Sequence, residues 1–351
     1  HTLIHESYSA SGRASNFTFD SSKKNLLKGK YIGGIIGYGQ DSLINNCSTQ
    51  KNGYVLGSDQ VGGIAGALSG NIADVIKAEG TIKVTTNASY VIGKKYVGGI
   101  VGENSSGVTL ENCVNNGVAA GYEKYVGGIV GYNANGATIK DCASYLSDYD
   151  NSVFKMITET WDATADYAGG IAGYNNGSIE FSAASTAVTV KSVSSIVVGK
   201  NYVGGVAGFN DINGNLNVHY TLIGGRVYGY EDCVGGGFGF NASEDLLTKE
   251  MLIRPRSVQG RYYVGGCIGA NVVNLSKDTV MDKFRCDNIL GSIKGEAFCG
   301  GIIGYQRTYG TGQLTEKPEG SSSANSVFQA VESNRTSSTD KILPLVQNNN
   351  V

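Results

Sequence analysis

The sequence predicts an all-β chain wound into a parallel β-solenoid of about nine coils. Three observations predict it. One octad, typified by Tyr-Val-Gly-Gly-Ile-Val-Gly-Tyr at 125–132, recurs nine times in 351 residues, starting at Tyr31, Gln60, Tyr96, Tyr125, Tyr167, Tyr202, Cys233, Tyr263 and Phe298. The first glycines of successive octads lie 29 to 42 residues apart, the spacing of a solenoid or similar repeat array. Glycine is the second observation: 52 residues, about twice ordinary usage, against three prolines. The third is the sequence between octads, which is short, β-branched and punctuated by Asn and Gly, as strands joined by tight turns should be.

The elements follow in order. Residues 1–28 lack the octad and are expected to cap the N-terminal coil, since terminal coils need an outer face of their own. Residues 29–305 carry the repeats. The octad reads as the first strand of each coil. Its fifth and sixth positions, such as Ile100 and Val101, are apolar or small in every copy. In one strand these would point to opposite faces, so the strand is expected to be sandwiched between two apolar layers. Its glycines mark close approach of another backbone. Asparagine often follows, at Asn104, Asn133, Asn175, Asn210, Asn241 and Asn271, opening a turn. A second strand, such as ATIKDC at 137–142, and a third, such as GVAAG at 117–121, complete the coil.

Other classes are excluded on the same grounds. A period near 33 also fits helical repeats, but each interior glycine costs a helix about 1 kcal/mol against alanine. A net charge of −2 leaves no electrostatic footprint for nucleic acid. No apolar run reaches the roughly 18 residues of a membrane span. The chain starts at His1 without a signal-peptide pattern and reads as a mature segment or fragment. Seven cysteines are too few for a disulfide scaffold. Cys113 and Cys142 sit in consecutive units and are expected to stack as free thiols, although a bridge is conceivable. Three scattered histidines, His1, His5 and His219, give little support to a metal site or an acyl-transfer triad. No cofactor is expected.

The run at 125–133, Tyr-Val-Gly-Gly-Ile-Val-Gly-Tyr-Asn, resembles the GLUG-type repeat of bacterial surface proteins, over about residues 29–305. The resemblance implies a right-handed β-helix in an extracellular protein, secreted or on the cell surface of Gram-positive bacteria, used for display or adhesion. Such repeats also occur ahead of the metalloprotease domain in immunoglobulin-A-cleaving enzymes. The protease signature His-Glu-x-x-His is not in this sequence, so any peptidase activity would lie outside it.

The stretches that break the period are where function is expected. The longest unit holds an insertion at 147–167, where Asp148, Asp150 and Asp162 accompany Tyr149, Phe154 and the single tryptophan, Trp161. Insertions in solenoids emerge on one face, often the binding face; this one reads either as a solvated loop with Trp161 covering a coil edge or as a site where carboxylates beside aromatic rings suit a sugar ligand. Residues 243–256 are expected to form a short amphipathic helix, capped by Ser243, that covers the solenoid's side; alternatively Arg254, Arg256 and its exposed part contact a partner protein. The tyrosines at octad positions one and eight read as ladder residues rather than an exposed stripe. From 306 to 351 the repeat stops, giving a C-terminal cap or partly ordered tail.

The expected function is therefore non-catalytic binding of a host glycan or glycoprotein, with immunoglobulin or mucin as candidates by habitat, and with neither nucleic acid binding nor membrane insertion by this segment. A polysaccharide lyase or glycosidase with its site near 148–166 is the enzymatic alternative. It requires paired carboxylates or an acidic cluster converging beside a basic residue. A passive stalk is the third reading.

Overall fold

A computed structural model describes residues 2–5, 8–9, 21–49, 51, 53–70, 86–145, 155–160, 162–181, 193–218, 222–248, 251–281, 284–316 and 322–330. It is a stack of short parallel strands. Two long sheets carry the octads, and each octad contributes one rung to both. Leading strands such as Tyr90–Gly98, Val118–Gly127 and Asp166–Gly169 form one sheet; trailing strands such as Val101–Asn104, Val130–Asn133 and Ala172–Asn175 form the other. Register is position for position: Val97 opposes Val126, Gly98 opposes Gly127, and Tyr132 opposes Tyr174.

The octad is thus two strands and a corner, which corrects the single-strand expectation. The chain turns between the first glycine and the sixth position. Ile100 and Val101 therefore both enter the same core, at 2% and 1% exposure, rather than facing opposite layers. The corner stacks through shared carbonyls. The N–H groups of Ile100 and Val101 both donate to Ile129 O, at 2.9 and 3.0 Å, and those of Ile129 and Val130 both donate to Ile171 O, each at 2.9 Å.

Steric room explains the glycines of the corner. A Cβ on Gly127 would collide with Val130 O within its own corner, and one on Gly128 with Gly170 O of the next rung. Neither glycine has a positive φ. Left-handed backbone falls instead on octad position one in all nine copies, with φ from 46° at Gln60 to 61° at Cys233. Bulky side chains rarely adopt that conformation, and it costs roughly 1–2 kcal/mol per residue. Stacking of the same ring on the rungs above and below, at about 0.5–1.5 kcal/mol per aromatic pair, offsets it.

A third side, of strands Thr109–Glu111, Thr138–Lys140, Ser178–Phe181 and Asn215–Val218, closes the core with buried Leu110, Ile139, Ile179 and Leu216. The remaining side changes partway along. Short strands such as Val114–Asn115 and Ala143–Ser144 serve the early rungs. Long strands such as Val193–Gly199, Leu222–Gly229 and Met251–Gln259 serve the later ones. At the N-terminus Thr2–His5 pairs with Ser42–Asn45. Pairing also runs beyond the last octad, where Ser322–Ala330 joins Phe284–Gly295.

The amphipathic helix expected at 243–256 does not form. Asp245–Thr248 is a single 3₁₀ turn that seats Leu246 and Leu247 in the core, and Met251–Gln259 is a strand. Ser243 donates its N–H to Asn241 Oδ1, at 3.1 Å, instead of capping a helix. Backbone pairing with both neighbouring rungs outweighs a modest local helix preference. Six of the seven cysteines are buried, and all seven are free thiols. Cys142 Sγ accepts the Cys113 N–H at 3.4 Å, so the two stack unbridged.

Candidate binding surface

Of the insertion residues singled out from the sequence, Asp148, Tyr149, Asp150, Phe154 and Trp161 lie outside the described residues, as does His219. Asp162 is described. It is exposed, has a φ of 48°, and pairs with Lys24 Nζ at 3.4 Å. The insertion's helical turn Met156–Thr160 lies against the outside of the leading-strand sheet. Ile157, 4% exposed, packs with Ile92, Val118, Ala120, Ile196 and Val198. Thr158 O accepts the Tyr230 hydroxyl at 3.4 Å, and Lys24 lies over the Tyr122 ring at 5.2 Å. This part of the insertion is therefore a strap on an outer apolar face. Arg254 is exposed and Arg256 half-buried on Met251–Gln259.

Among the described residues, Glu231 and Glu296 are two carboxylates joined through one basic side chain. Both accept from the same exposed Arg261, at 3.1 and 3.0 Å, in a charge ladder across adjacent rungs. Among the described residues no three His, Cys, Asp or Glu side chains are grouped to hold a metal. Among the described residues a cavity between Ala120, Gly128, Ser144 and Ile157 measures about 30 Å³, room for water rather than an organic ligand.

The sides of the solenoid offer more than its interior. Octad positions one and eight form two parallel columns of half-buried rings. In column one Tyr96, Tyr125, Tyr167 and Tyr202 follow one another at centroid distances of 5.1, 5.0 and 4.9 Å. In column two Tyr132, Tyr174, Phe209 and Phe240 follow at 5.2, 5.1 and 4.7 Å. Rings of the two columns meet edge to face, as Tyr125 meets Tyr174 at 5.5 Å. The columns break at Cys233 and Ala270 and resume at Tyr263 with Phe298 and at Tyr305. Burial raises the phenol pKa of Tyr125, Tyr132, Tyr167, Tyr174 and Tyr202, with Asp211 adding to the effect at Tyr174. The sequence did signal this seam, by aromatic residues recurring at two octad positions. Reading them as ladder residues was half of the answer, because a ladder at the corner's outer edge is also part of the surface.

Behind the seam runs a polar spine. The side-chain amide of each octad-following Asn donates to the next: Asn104 to Asn133 at 3.0 Å, then Asn175, Asn210, Asn241 and Asn271 at 2.9, 2.8, 2.9 and 2.7 Å, ending on Gln306 at 2.6 Å. The six asparagines are buried. Only the two ends are left without partners, Asn104 Oδ1 and Gln306 Nε2.

Residues 122–144 match the family model described as the GLUG motif. The chain carries a GLUG motif. The matched stretch holds the fourth octad, its ladder asparagine Asn133 and the strand Thr138–Lys140, so the GLUG motif spans one corner and the side that follows it. Comparison with curated proteins found no significant match, and comparison with solved structures found none either. A GLUG-motif β-solenoid fits a surface or stalk domain. No helix among the described residues is long and apolar enough to cross a membrane.

Proposed function

We propose that this GLUG solenoid is a non-catalytic binding and display domain of an extracellular bacterial surface protein, engaging a host glycan or glycoprotein such as mucin or immunoglobulin. The observation that supports the reading is the GLUG motif itself, set in a rod whose repeated corners leave long sides free for contact. Solenoids characteristically use such extended surfaces. The second reading, a passive stalk, draws on the same rod and on the Glu231–Arg261–Glu296 ladder, which ties adjacent rungs whether or not a ligand binds.

A glycan array together with mucin and immunoglobulin pull-downs, using the full chain, tests the proposal. Saturable capture supports binding. No capture on any surface would favour the stalk. Trp161→Ala then asks whether the insertion at 147–167 carries the signal.

A further inference from the structure

At its N-terminal end the rod is one rung short on two of its sides. Thr2–His5 lies over Ser42–Asn45, and Tyr8–Ser9 over Ser48–Thr49, in parallel register. These strands supply the two sides that follow an octad, one level before the octad at 31–38. The octad's own strands, Lys30–Gly33 and Ile36–Gln40, pair on one edge with Asp59–Gly62 and Ala65–Ser69. Among the described residues no strand pairs with their other edge. Burial follows the same division. Ser42, Ile44, Cys47 and Thr49, under the added strands, are buried. Ile35 and Ile36 are only partly buried, whereas their counterparts Ile64 and Ala65 in the next rung are 1% and 0% exposed. The opposite end of the rod differs, because Ile302 and Ile303 are buried there.

Backbone chemistry defines what this notch accepts. From rung to rung, the N–H groups of octad positions five and six both donate to the next position-five carbonyl. Ile35 and Ile36 donate to Ile64 O, each at 3.0 Å, and Ile64 and Ala65 to Ile100 O at 2.9 and 3.1 Å. Ile35 O, first in the series, accepts no N–H from a described residue, and it stands where a preceding corner would donate two. The steric limits are equally narrow. A Cβ on a rung's first glycine lies 2.8 Å from the next rung's position-five carbonyl, at Gly62, Gly98 and Gly127 alike. A Cβ on the second glycine collides with the second glycine's carbonyl in the next rung, as at Gly34 with Gly63 O and Gly99 with Gly128 O. Ile35 O and Gly34 O therefore admit a corner only if it is Gly-Gly. Unpaired backbone beside apolar side chains is what strand addition satisfies. The added piece is one rung deep, because Thr2–His5 and Tyr8–Ser9 already fill the other two sides of that level. A second copy stacked end on end does not fit. Its third side runs through Asp245–Thr248 and Thr279–Met281 to Leu314–Glu316, and this last strand would fall where Thr2–His5 already lies.

We propose that the open edge of the octad at 31–38 docks one Gly-Gly octad of another GLUG-motif polypeptide, added in parallel as strand, corner and strand, which completes the rung that Thr2–His5 and Tyr8–Ser9 begin. The proposal stands apart from the host-ligand reading above. The test uses the full chain and a capped peptide of residues 167–177, Tyr-Ala-Gly-Gly-Ile-Ala-Gly-Tyr-Asn-Asn-Gly. Fluorescence anisotropy should show saturable, one-to-one binding, and hydrogen exchange should slow across 30–40. The same peptide carrying Gly169→Ala and Gly170→Ala should bind at least tenfold more weakly. A fusion that places residues 167–177 directly before Thr2 keeps the spacing of Tyr31 to Ser42, the partner of Thr2. It should fill its own edge, melt above the parent chain and refuse the peptide. No saturable binding by the parent chain would overturn the proposal, as would equal binding of the double-alanine peptide. A fusion that still takes up the peptide, or that melts below the parent, would overturn it too. End-to-end oligomers of the chain alone in sedimentation, undiminished by the peptide, would give the edge to a second copy instead.

Discussion

At the scale of single residues, the octad separates two backbone demands that glycine usually meets together. Its paired glycines supply space, and its first residue supplies the left-handed angle while keeping a ring. Gly127 shows the first demand plainly. A methyl there meets Val130 O of its own corner and lies 2.8 Å from Ile171 O of the next rung. Both obstacles are hydrogen-bonded backbone that cannot swing aside as a side chain could. Gly127→Ala is expected to cost several kcal/mol, at the upper end of single substitutions, and to unfold or locally open the middle rungs, read as lost amide protection in 122–144. Gly136, in the turn after Asn133 with a φ of 78°, should behave differently: Ala there is strained by about 1 kcal/mol and should leave the stack intact.

At the scale of elements, columns of like residues matter more than individual strands. The asparagine spine is fully buried and satisfied except at its ends. Removing one member strands a donor on one side and an acceptor on the other. Asn175→Leu, close in volume, leaves Asn133 Nδ2 and Asn210 Oδ1 facing an apolar side chain. Each unsatisfied buried group costs about 1–3 kcal/mol, so denaturant melts should show a loss of roughly 2–5 kcal/mol. The tyrosine columns make an alkaline prediction. Burial holds the phenols of Tyr125, Tyr132, Tyr167 and Tyr202 above the ordinary value of 10.0, so the folded chain keeps protons that the unfolded chain loses. This contribution is complete below pH 10 and fades as the pH rises through the folded values. Absorbance at 295 nm should reveal a set of phenols ionising late and together with unfolding. Replacing three of them by Phe should flatten the loss of stability above pH 10.

Elements also mark where the sequence was and was not legible. The strands after each Asn-Gly turn, such as Thr138–Lys140 and Ser178–Phe181, were readable because alternation and turn chemistry agree. The corner inside the octad was not, because Ile-Val or Ile-Ala beside glycine reads equally as a strand buried on both faces. The helix expected at 243–256 failed because local apolar spacing carried no information about the rungs waiting on either side. For the candidate site, the ring positions were visible in the repeat. Their half-exposure was not, since exposure depends on where the corner points.

At the scale of the whole molecule, stability should be nearly additive over rungs, because each touches chiefly its neighbours. Excising residues 98–126 joins Val97 to Gly127, residues whose positions are equivalent in the register Val97 to Val126 and Gly98 to Gly127. One rung is lost, and the spine then starts at Asn133 as it now starts at Asn104. The shortened chain is expected to fold, with β circular dichroism per residue unchanged and a single thermal transition. Excising residues 98–112 breaks the register and should leave an aggregating product. Equal behaviour of the two deletions would show that stacking in register is not what holds the rod.

Residue order alone sets the repeat, its β character and its parallel stacking, because glycine and branched residues recurring at regular positions leave few other ways to satisfy backbone and core together. It also fixed which residues lie above which, since identical units stack most favourably like on like. The packing of rung on rung sets the rest: the octad bends, the left-handed angle sits on its first residue, aromatic in seven of nine copies, and part of the 147–167 insertion is a strap on an outer apolar face. These depend on close approach between rungs distant in sequence, where a carbonyl from the next coil chooses which residue may carry a side chain and which way that side chain faces.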